Sequence, residues 1–520
     1  MAFVPLFILS DKLLEKGGKL AFWDGLLYSF PAFLVWNGAT TWWIAFSTIP
    51  GAIAAILLNA LLMSLLFALW HFFRTLNFSY YSIPLIFIAF WCSFEFLHLN
   101  WEITWPWLNL GNVFASYTPL VQWYEYTGTF GGTIWILTVN FLIYFSYTGK
   151  KTLNRPTSIR NTTIAMIVLI LPIVISLIIY YSYYCSDEHP IQALIVQPNT
   201  EAHHEQSGMT NSELAQRLME VAAPCMNDRV DLLVAPESAI PKSVSEDWLL
   251  KNEFPPNLEQ YQAFALLDSF VQTYPDLNII AGISTFKTFP SRKRASIQDF
   301  GDGIFRESYN SAVLINVGES FDDSATVTIS DIYHKSKLVP GVELMPYPEL
   351  FRWLEKTVVK MGGFSYGKDT AQRAFRTMIG ENVKIGAPIC YESIFGEHFT
   401  KFVQDGAQLM TVITNDDWWG NTAGYKQHFV YAKLRAVETR RTIIRSANSG
   451  ISAFINEKGD VLKKTAFREQ TAIQETVYPN DSITFYVKHG DYLGRIALAV
   501  AALFLLFGGW LFFRKGGNRN

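Results

Sequence analysis

Three residue types that can cooperate in acyl transfer lie in separate short motifs of this sequence. Glu237 lies in APES, Lys335 in YHKSKLVPGVE and Cys390 in APICYE. A thiol attacks an ester or amide only as its thiolate. A carboxylate can accept the thiol proton, and an ammonium can stabilise the thiolate and the oxyanion that follows. The three side chains therefore predict a base, an electrostatic partner and a nucleophile.

Predicted secondary structure places each of these side chains. The runs DLLVAPES (231–238) and VKIGAPICYE (383–392) are typical of buried strands, and Lys335 lies in a predicted loop between them. Strand ends hold reactive side chains rigidly while the neighbouring loops admit substrate. A structural alternative stays open, because a lone cysteine after an apolar strand is usually a core residue.

Residues 186–490 continue this alternation of strands and helices. The further predicted strands cover 191–198, 277–284, 311–317, 409–416 and the two halves of 442–456, and the predicted helices include 211–223 and 428–440. Such alternation is typical of an α/β domain with covered sheets. We therefore predict a globular α/β domain over 186–490.

The rest of the chain is much more apolar. Half of the 520 residues are hydrophobic and 17% are charged, which is below the usual quarter for soluble proteins. A helix needs about 20 mainly apolar residues to cross a bilayer. The predicted spans are 20–37, 50–73, 82–99, 130–147, 161–184 and 495–513, and the apolar run 1–9 is interpreted as a partial span. These spans predict a transmembrane bundle over 1–184 and a C-terminal transmembrane helix.

Basic residues fall consistently on one side of the predicted spans. They lie before the first span, after the second and fourth, and after the last, whereas the loops 38–49 and 100–129 contain no Lys or Arg. Cytoplasmic loops carry an excess of positive charge. The α/β domain is therefore predicted on the side of the membrane away from the cytoplasm. The net charge of −3 gives no indication of a nucleic-acid partner.

Two other features have alternative interpretations. The Trp- and Tyr-rich loop 100–129 is either an aromatic belt at the membrane interface or a wall of a lipid-entry cleft. Cys185 and Cys225 could form a disulfide in an oxidising compartment, although burial is the default for a cysteine.

The motifs also resemble a known family. PES, KSKLVPGVE and CYES, in this order, resemble signatures of the nitrilase superfamily, and the flanking spans narrow the resemblance to bacterial apolipoprotein N-acyltransferase. Further similar motifs are TWPWLNLGN (104–112), NDDWWG (415–420), HFVYAKLRAVETRR (428–441) and RSANSGIS (445–452). The resemblance covers nearly the whole chain.

The resemblance implies a four-layer α-β-β-α sandwich on a transmembrane bundle of the bacterial cytoplasmic membrane, with the sandwich on the periplasmic side. It implies transfer of an acyl chain from a membrane phospholipid to the amine of a diacylglyceryl-cysteine apolipoprotein, by a monomer without metal or soluble cofactor. Glu237 would be the base, and Cys390 would form the thioester. Lys335 and the backbone N–H of Tyr391 would stabilise the oxyanion.

Supporting roles rest on the same resemblance and have structural alternatives. Glu343 matches a further family acid that orients Lys335 or the amine, or it is a solvated loop carboxylate. Glu392 supports the nucleophile turn or forms a plain salt bridge. Trp418 and Trp419 line the acyl channel or anchor the interface.

The chain also departs from the family pattern. Gly341 and Val342 replace the Phe-Gly pair common after Lys335, with the spacing to Glu343 kept.

A membrane-tethered carbon–nitrogen hydrolase acting on a small amide fits the same triad. A transporter is disfavoured, because the spans contain few charges and no evident repeated halves. A non-enzymatic scaffold is disfavoured by the intact PES, KSKLVP and CYES motifs.

Overall fold

Long apolar helices and two β-sheets occupy different parts of the chain. The computed structural model describes all residues except 1, 17–19, 77, 80, 152–154, 202–204, 295, 302, 320–324, 352–364, 370 and 518–520. Met1–Ser182 and His489–Asn520 form one compact unit, and Tyr183–Lys488 form the other.

The first unit is helical. Its helices are α1 (Val4–Glu15), α2 (Ala21–Thr41), α3 (Ile49–Phe73), α4 (Ser82–Asn100), α5 (Tyr124–Lys151), α6 (Arg155–Ser182) and the C-terminal helix Tyr492–Gly517. Of the residues described, five stretches are long and apolar enough to cross a membrane, namely Ile49–Phe73, Ser82–Asn100, Tyr124–Thr148, Ser158–Ser182 and Tyr492–Arg514. The span predicted at 20–37 lies in α2, where Asp24 and Asn37 interrupt the apolar sequence, so that span stays a prediction.

Aromatic side chains fill the interior of this unit. The residues interpreted as a partial span begin α1, where Phe7 is fully buried and stacks on Phe141 with ring centroids 4.1 Å apart. Phe3 meets the Trp91 ring edge-on at 4.9 Å. Aromatic pairs in these geometries are worth about 0.5–1.5 kcal/mol beyond the area they bury. The N-terminal apolar run is therefore an integral part of the helical core.

The buried carboxylate of Glu95 ties α4 to the tryptophan-rich segment 100–129. Its oxygens accept hydrogen bonds from Trp91 Nε1 at 3.0 Å, the Leu110 backbone N–H at 2.8 Å and Thr133 Oγ1 at 2.7 Å. Gly111 permits the close approach, because a Cβ there would lie 1.9 Å from the Thr129 carbonyl oxygen. The segment is thus packed onto the bundle.

The second unit contains two sheets. Its strands are β1 (Ile191–Gln197), β2 (Leu232–Val234), β3 (Ile240–Ser245), β4 (Asn278–Phe289), β5 (Gln298–Asp299), β6 (Phe305–Glu319), β7 (Ala325–His334), β8 (Ala374–Arg376), β9 (Lys384–Gly386), β10 (Leu409–Thr414), β11 (Ile443–Ala447), β12 (Ala453–Ile455), β13 (Val461–Lys464) and β14 (Thr471–Val477). Among the described residues, one sheet follows the order β14-β1-β2-β4-β6-β5, with β3 beside β4 and β7 beside β6. The other follows β13-β12-β11-β10-β9-β8.

Helices cover the outer faces of these sheets. The helices of this unit are α7 (Glu205–Gly208), α8 (Asn211–Ala222), α9 (Glu246–Leu249), α10 (Gln262–Thr273), α11 (Pro348–Phe351), α12 (Gly396–Gln404), α13 (Ala423–Thr439) and α14 (Phe485–His489). Ile195 of the first sheet shares a buried cluster with Val412 of the second and Ala432 of α13. The next residue along, Val196, packs instead with Leu218 of α8 and Leu267 of α10. This alternation follows from the strand period of two and confirms the predicted α-β-β-α layering.

Two predicted elements around the motifs differ from the structure. The strand predicted at 383–392 ends at Gly386, since Pro388 cannot donate to a ladder, and Cys390 begins a 3₁₀ turn, Cys390–Ile394. Lys335, predicted in a loop, directly follows β7, a strand that sequence reasoning did not predict. Its residues ATVTISDIYH are half polar and therefore lack a continuous apolar signal.

Candidate active site

Glu237 is held at the end of β2 by close backbone packing. Gly282 of β4 donates its N–H to the Pro236 carbonyl at 3.1 Å, and a Cβ on Gly282 would lie 2.5 Å from the Glu237 Cα. The buried carboxylate accepts hydrogen bonds from Asn310 Nδ2 at 2.7 Å and Lys335 Nζ at 3.1 Å on Oε1. The Asn415 N–H donates to Oε2 at 3.0 Å. Both oxygens are thus fixed in direction.

Lys335 lies between two carboxylates. Its Nζ is 3.1 Å from Glu237 Oε1 and 2.8 Å from Glu343 Oε1, and the lysine side chain is 1% exposed. Asn310 Nδ2 donates to the same Glu343 oxygen at 3.2 Å, and the Val339 N–H donates to Glu343 Oε2 at 2.9 Å. The structure therefore brings Glu237, Lys335 and Glu343 together in one buried cluster.

Cys390 begins its turn in a left-handed backbone conformation. Its φ is 50°, which costs an L-residue about 1–2 kcal/mol and is held by surrounding contacts. The residue is buried, with 7% of its surface exposed. The neighbouring Ile389 bridges Ile413 of β10, so the second sheet supports the turn directly.

Glu392 connects the Cys390 turn to the segment that follows Lys335. Its Oε2 accepts from the Ile389 N–H at 2.8 Å, and its Oε1 accepts from the N–H groups of Ser336 at 2.7 Å and Lys337 at 3.1 Å. His398 Nε2 lies 3.2 Å from Oε1. Burial disfavours the carboxylate, but His398 and these donors outweigh it and lower the pKa of Glu392 to about 2. Glu392 is thus a buried, ionised link between two site segments.

Burial and neighbouring charges shift the pKa values of Lys335 and Cys390 in the buried cluster. Burial by itself lowers the pKa of Lys335, but the carboxylates of Glu237 and Glu343 raise it well above its ordinary value. Burial, followed by the Glu237 carboxylate, raises the pKa of the Cys390 thiol, and Lys335 offsets part of the rise. The resting state is therefore a neutral thiol with an ammonium, and the thiol needs a base before it can attack.

A second buried polar cluster, made of Asp416, His428 and Arg445, lies next to the Cys390 turn. Asp416 Oδ1 is 2.9 Å from His428 Nδ1, and Asp416 Oδ2 is 2.9 Å from Arg445 NH2. Burial opposes ionisation of Asp416, but Arg445 and His428 lower its pKa to about 2. Gly450 leaves room for this carboxylate, because a Cβ there would lie 2.1 Å from Oδ2.

A family model described as carbon-nitrogen hydrolase matches residues 195–482, more than half of the chain. The chain belongs to the carbon–nitrogen hydrolase family. A second model, described as the apolipoprotein N-acyltransferase N-terminal domain, matches residues 1–142.

Curated relatives of this carbon–nitrogen hydrolase chain are named apolipoprotein N-acyltransferase. The protein from Chlorobaculum tepidum is 27% identical over 473 residues, which cover 89% of this chain and 84% of that protein. The one from Pseudomonas aeruginosa is 27% identical over 93% of this chain and 88% of its own length. Apolipoprotein N-acyltransferase 2 from Treponema denticola is 26% identical over 82% and 76%. These matches confirm the resemblance that the motifs indicated.

The other predicted residues of the carbon–nitrogen hydrolase domain surround the Cys390 turn in different ways. Tyr391 is buried and packs its ring against Phe395 at 5.0 Å. Trp419 meets the His428 ring edge-on at 5.5 Å, whereas Trp418 is 42% exposed. Trp419 thus contacts the site's supporting residues, and Trp418 is the more accessible of the two.

Cys185 and Cys225, considered for a disulfide, are free thiols. Over the described part of the chain, no group of three or more His, Cys, Asp or Glu side chains is arranged to hold a metal ion.

Sequence reasoning assigned no role to several site residues of this carbon–nitrogen hydrolase domain. Asn310 was missed because it lies just before the strand predicted at 311–317, between polar residues such as Ser308 and Ser311 of β6. Asp416, His428 and Arg445 lie in NDDWWG, HFVYAKLRAVETRR and RSANSGIS, motifs that were recognised without a role for these residues. For these three residues, the sequence signal that could have found them was a charged or titratable side chain in an element predicted to be buried.

Proposed function

We propose that this protein is an apolipoprotein N-acyltransferase. It would transfer a fatty acyl chain from a membrane phospholipid to the N-terminal amine of a diacylglyceryl-cysteine apolipoprotein, the last step of lipoprotein maturation. The observation that carries the proposal is the buried Glu237–Lys335 pair, whose charges both act on the Cys390 thiol. The names of the relatives that match most of the chain support the substrate class.

Acylation is the first half-reaction. Glu237 takes the proton of Cys390, and the thiolate attacks the sn-1 ester carbonyl of the phospholipid. The Lys335 ammonium and the Tyr391 N–H stabilise the oxyanion. Collapse breaks the ester C–O bond, the proton on Glu237 passes to the leaving alkoxide, and lysophospholipid departs from a thioester on Cys390.

Aminolysis is the second half-reaction. The α-amine of the apolipoprotein attacks the thioester carbonyl, and Glu237 accepts the amine proton. Collapse breaks the C–S bond, forms the amide and returns Cys390 to the thiol with that proton. Glu343 shares Lys335 with Glu237, and it would keep the ammonium oriented as Glu237 changes charge.

The location of the reaction follows from the helical unit. The protein is an integral membrane protein, with five helices of sufficient length and apolarity among its described residues. We infer from the distribution of basic residues that the catalytic domain faces the periplasm. The enzyme would act there as a monomer, without a nucleic-acid partner or cofactor. Trp418 and Trp419 are proposed to contact the acyl chain.

A transferase must protect its thioester from water until the amine arrives. The buried position of Cys390 supports this requirement, and it also fits a tethered amidase acting on a small amide. The two reactions differ in the acyl donor and in what remains on the enzyme. An experiment with phospholipid alone therefore separates them.

The test is an intact-mass measurement of the detergent-purified protein after incubation with dipalmitoyl phospholipid. We expect a hydroxylamine-sensitive gain of one palmitoyl group, its absence in Cys390→Ala, and its persistence in the matched control Cys225→Ala. Addition of a diacylglyceryl-cysteine peptide should remove the group and yield the acylated peptide. Absence of the adduct, together with ammonia release from small amides, would instead establish the hydrolase.

A further inference from the structure

The carbonyl of Cys390 is held by two side chains. Ser393 Oγ donates to it at 2.7 Å, and His428 Nε2 lies 3.0 Å from it. A carbonyl oxygen only accepts hydrogen bonds, so His428 donates to it from Nε2. Both side chains are almost completely buried, which removes water as a competing partner.

His428 is itself fixed on its other side. Nδ1 donates to Asp416 Oδ1 at 2.9 Å, and Arg445 NH2 fixes that carboxylate in turn by donating to Oδ2 at 2.9 Å. Thr414 Oγ1 donates to Asp416 Oδ1 at 3.0 Å. The imidazole is therefore held by Asp416, which follows β10 and is itself fixed by Arg445 of β11. It cannot rotate without breaking several buried contacts.

These contacts act on an entire peptide group. The peptide bond is planar and trans, so the Cys390 C=O and the Tyr391 N–H lie in one plane and point in opposite directions. Side chains that fix the carbonyl therefore also fix the direction of the N–H. Hydrogen bonds to a carbonyl also polarise its peptide and strengthen the N–H as a donor. The left-handed φ of Cys390, 50°, makes such support necessary.

We propose that His428, held by Asp416 and assisted by Ser393, is a positioning residue that sets the 390–391 peptide so that its N–H binds the oxyanion. The inference rests on the proposed function, in which the Tyr391 N–H is an oxyanion donor. It assigns His428 no contact with substrate. Its effect should appear only in steps that pass through a tetrahedral oxyanion.

Two reagents separate this role from a general loss of structure. A p-nitrophenyl ester acylates Cys390 through an oxyanion and releases p-nitrophenolate. Methyl methanethiosulfonate modifies the same thiolate at sulfur, with sulfinate leaving and no oxyanion. The ratio of the two rates at Cys390, the second followed by the mass of the Cys390 peptide, reports the oxyanion step alone. Neither reagent requires phospholipid, so the ratio stays measurable if the proposed acyl donor is wrong.

The variants exploit the length of the side chain. The Asn amide reaches only the Nδ1 position, whereas the Gln amide can place an N–H at the Nε2 position. Since removing one oxyanion-hole donor costs about 10²–10³ in rate, we expect His428→Asn to lower the acylation rate by roughly 30- to 100-fold. The thiosulfonate rate should stay within about twofold, and His428→Gln should recover most of the acylation rate. The exposed His189→Asn is the matched control.

Either alternative result would overturn the inference. An equal fall of both rates in His428→Asn would make His428 a structural residue. Unchanged acylation in a folded His428→Asn protein would show that the peptide does not need it. Failure of the wild type to take an acyl chain from phospholipid, with the ester ratio still falling in His428→Asn, would reject the proposed donor and keep the role of His428.

Discussion

Glu237, the proposed base, illustrates at the residue scale how a carboxylate can be both fixed and available. An ionised carboxylate offers about four acceptor positions on its two oxygens. In the described part of the chain, Asn310 and Lys335 occupy two on Oε1 and the Asn415 N–H occupies one on Oε2. One position on Oε2 is left for an incoming proton. The donors therefore aim the carboxylate without saturating it.

Asp416 gives a residue-scale prediction for the pH dependence of stability. Its folded pKa of about 2 lies below the ordinary value near 3.9, so its contribution is complete above about pH 4 and is lost as the pH falls towards 2. The depression corresponds to about 2–3 kcal/mol of stability at neutral pH. Asp416→Asn should unfold at a lower temperature than the wild type at pH 7, and the gap should narrow below pH 4.

Thermal unfolding followed by intrinsic fluorescence in detergent, at pH values from 7 to 2.5, measures that gap. Asp276→Asn, at an exposed carboxylate, is the matched control and should show a small gap at every pH. A gap for Asp416→Asn that stays constant down to pH 2.5 would contradict the assigned ionisation.

At the element scale, the site depends on how closely β4 approaches the end of β2. The two strands are parallel neighbours with Val234 opposite Ile280, and the chain continues from each to Glu237 and Gly282. Only a hydrogen at residue 282 fits, because three backbone atoms of 236–238 lie within 2.7 Å of a Cβ there. The position of Glu237 is therefore set by packing between strands as well as by its own hydrogen bonds.

Gly282→Ala tests this packing. The new methyl group must displace the Glu237 backbone, because its nearest neighbours are main-chain atoms. Overpacking of this kind costs about 1–3 kcal/mol, and we expect a lower unfolding temperature with at least a tenfold slower acyl-enzyme formation. Gly208→Ala is the matched control, since nothing lies within 4 Å of a Cβ there. Equal rates for the two variants would show that Glu237 tolerates the displacement.

At the scale of the whole molecule, one chain combines a soluble-type α/β core with a helical unit whose surface is apolar. Large side chains such as Leu57, Ile167 and Leu506 are 45–73% exposed on the helical unit. Exposed apolar surface of this extent marks a membrane or protein interface. Lipid tails are the natural solvent for helices of this length.

The periplasmic orientation can be tested with single cysteines at two exposed lysines in a Cys185→Ser, Cys225→Ser background. Lys251→Cys lies in the α/β unit, and Lys12→Cys lies in α1 on the side rich in basic residues. We expect a membrane-impermeant maleimide to label Lys251→Cys in intact spheroplasts and Lys12→Cys only after permeabilisation. The reverse pattern would invert the topology.

The sequence by itself determined the class of the fold and the principal chemistry. Apolar periodicity distinguishes lipid-facing helices from buried strands because the two have periods of 3.6 and 2 and different lengths. Short motifs identified Glu237, Lys335 and Cys390 as candidates because each is a reactive residue type in a motif of the resembled family. These signals are local along the chain, so one sequence is sufficient to read them.

Only the tertiary structure decided what surrounds these residues. Asn310 lies 73 positions from Glu237 in the sequence and hydrogen-bonds it, and His428 lies 38 positions from the carbonyl it holds. The left-handed backbone of Cys390 and the narrow space at Gly282 likewise arise from strands that pair across long stretches of chain. Such contacts depend on sheet order and register, which no local pattern encodes.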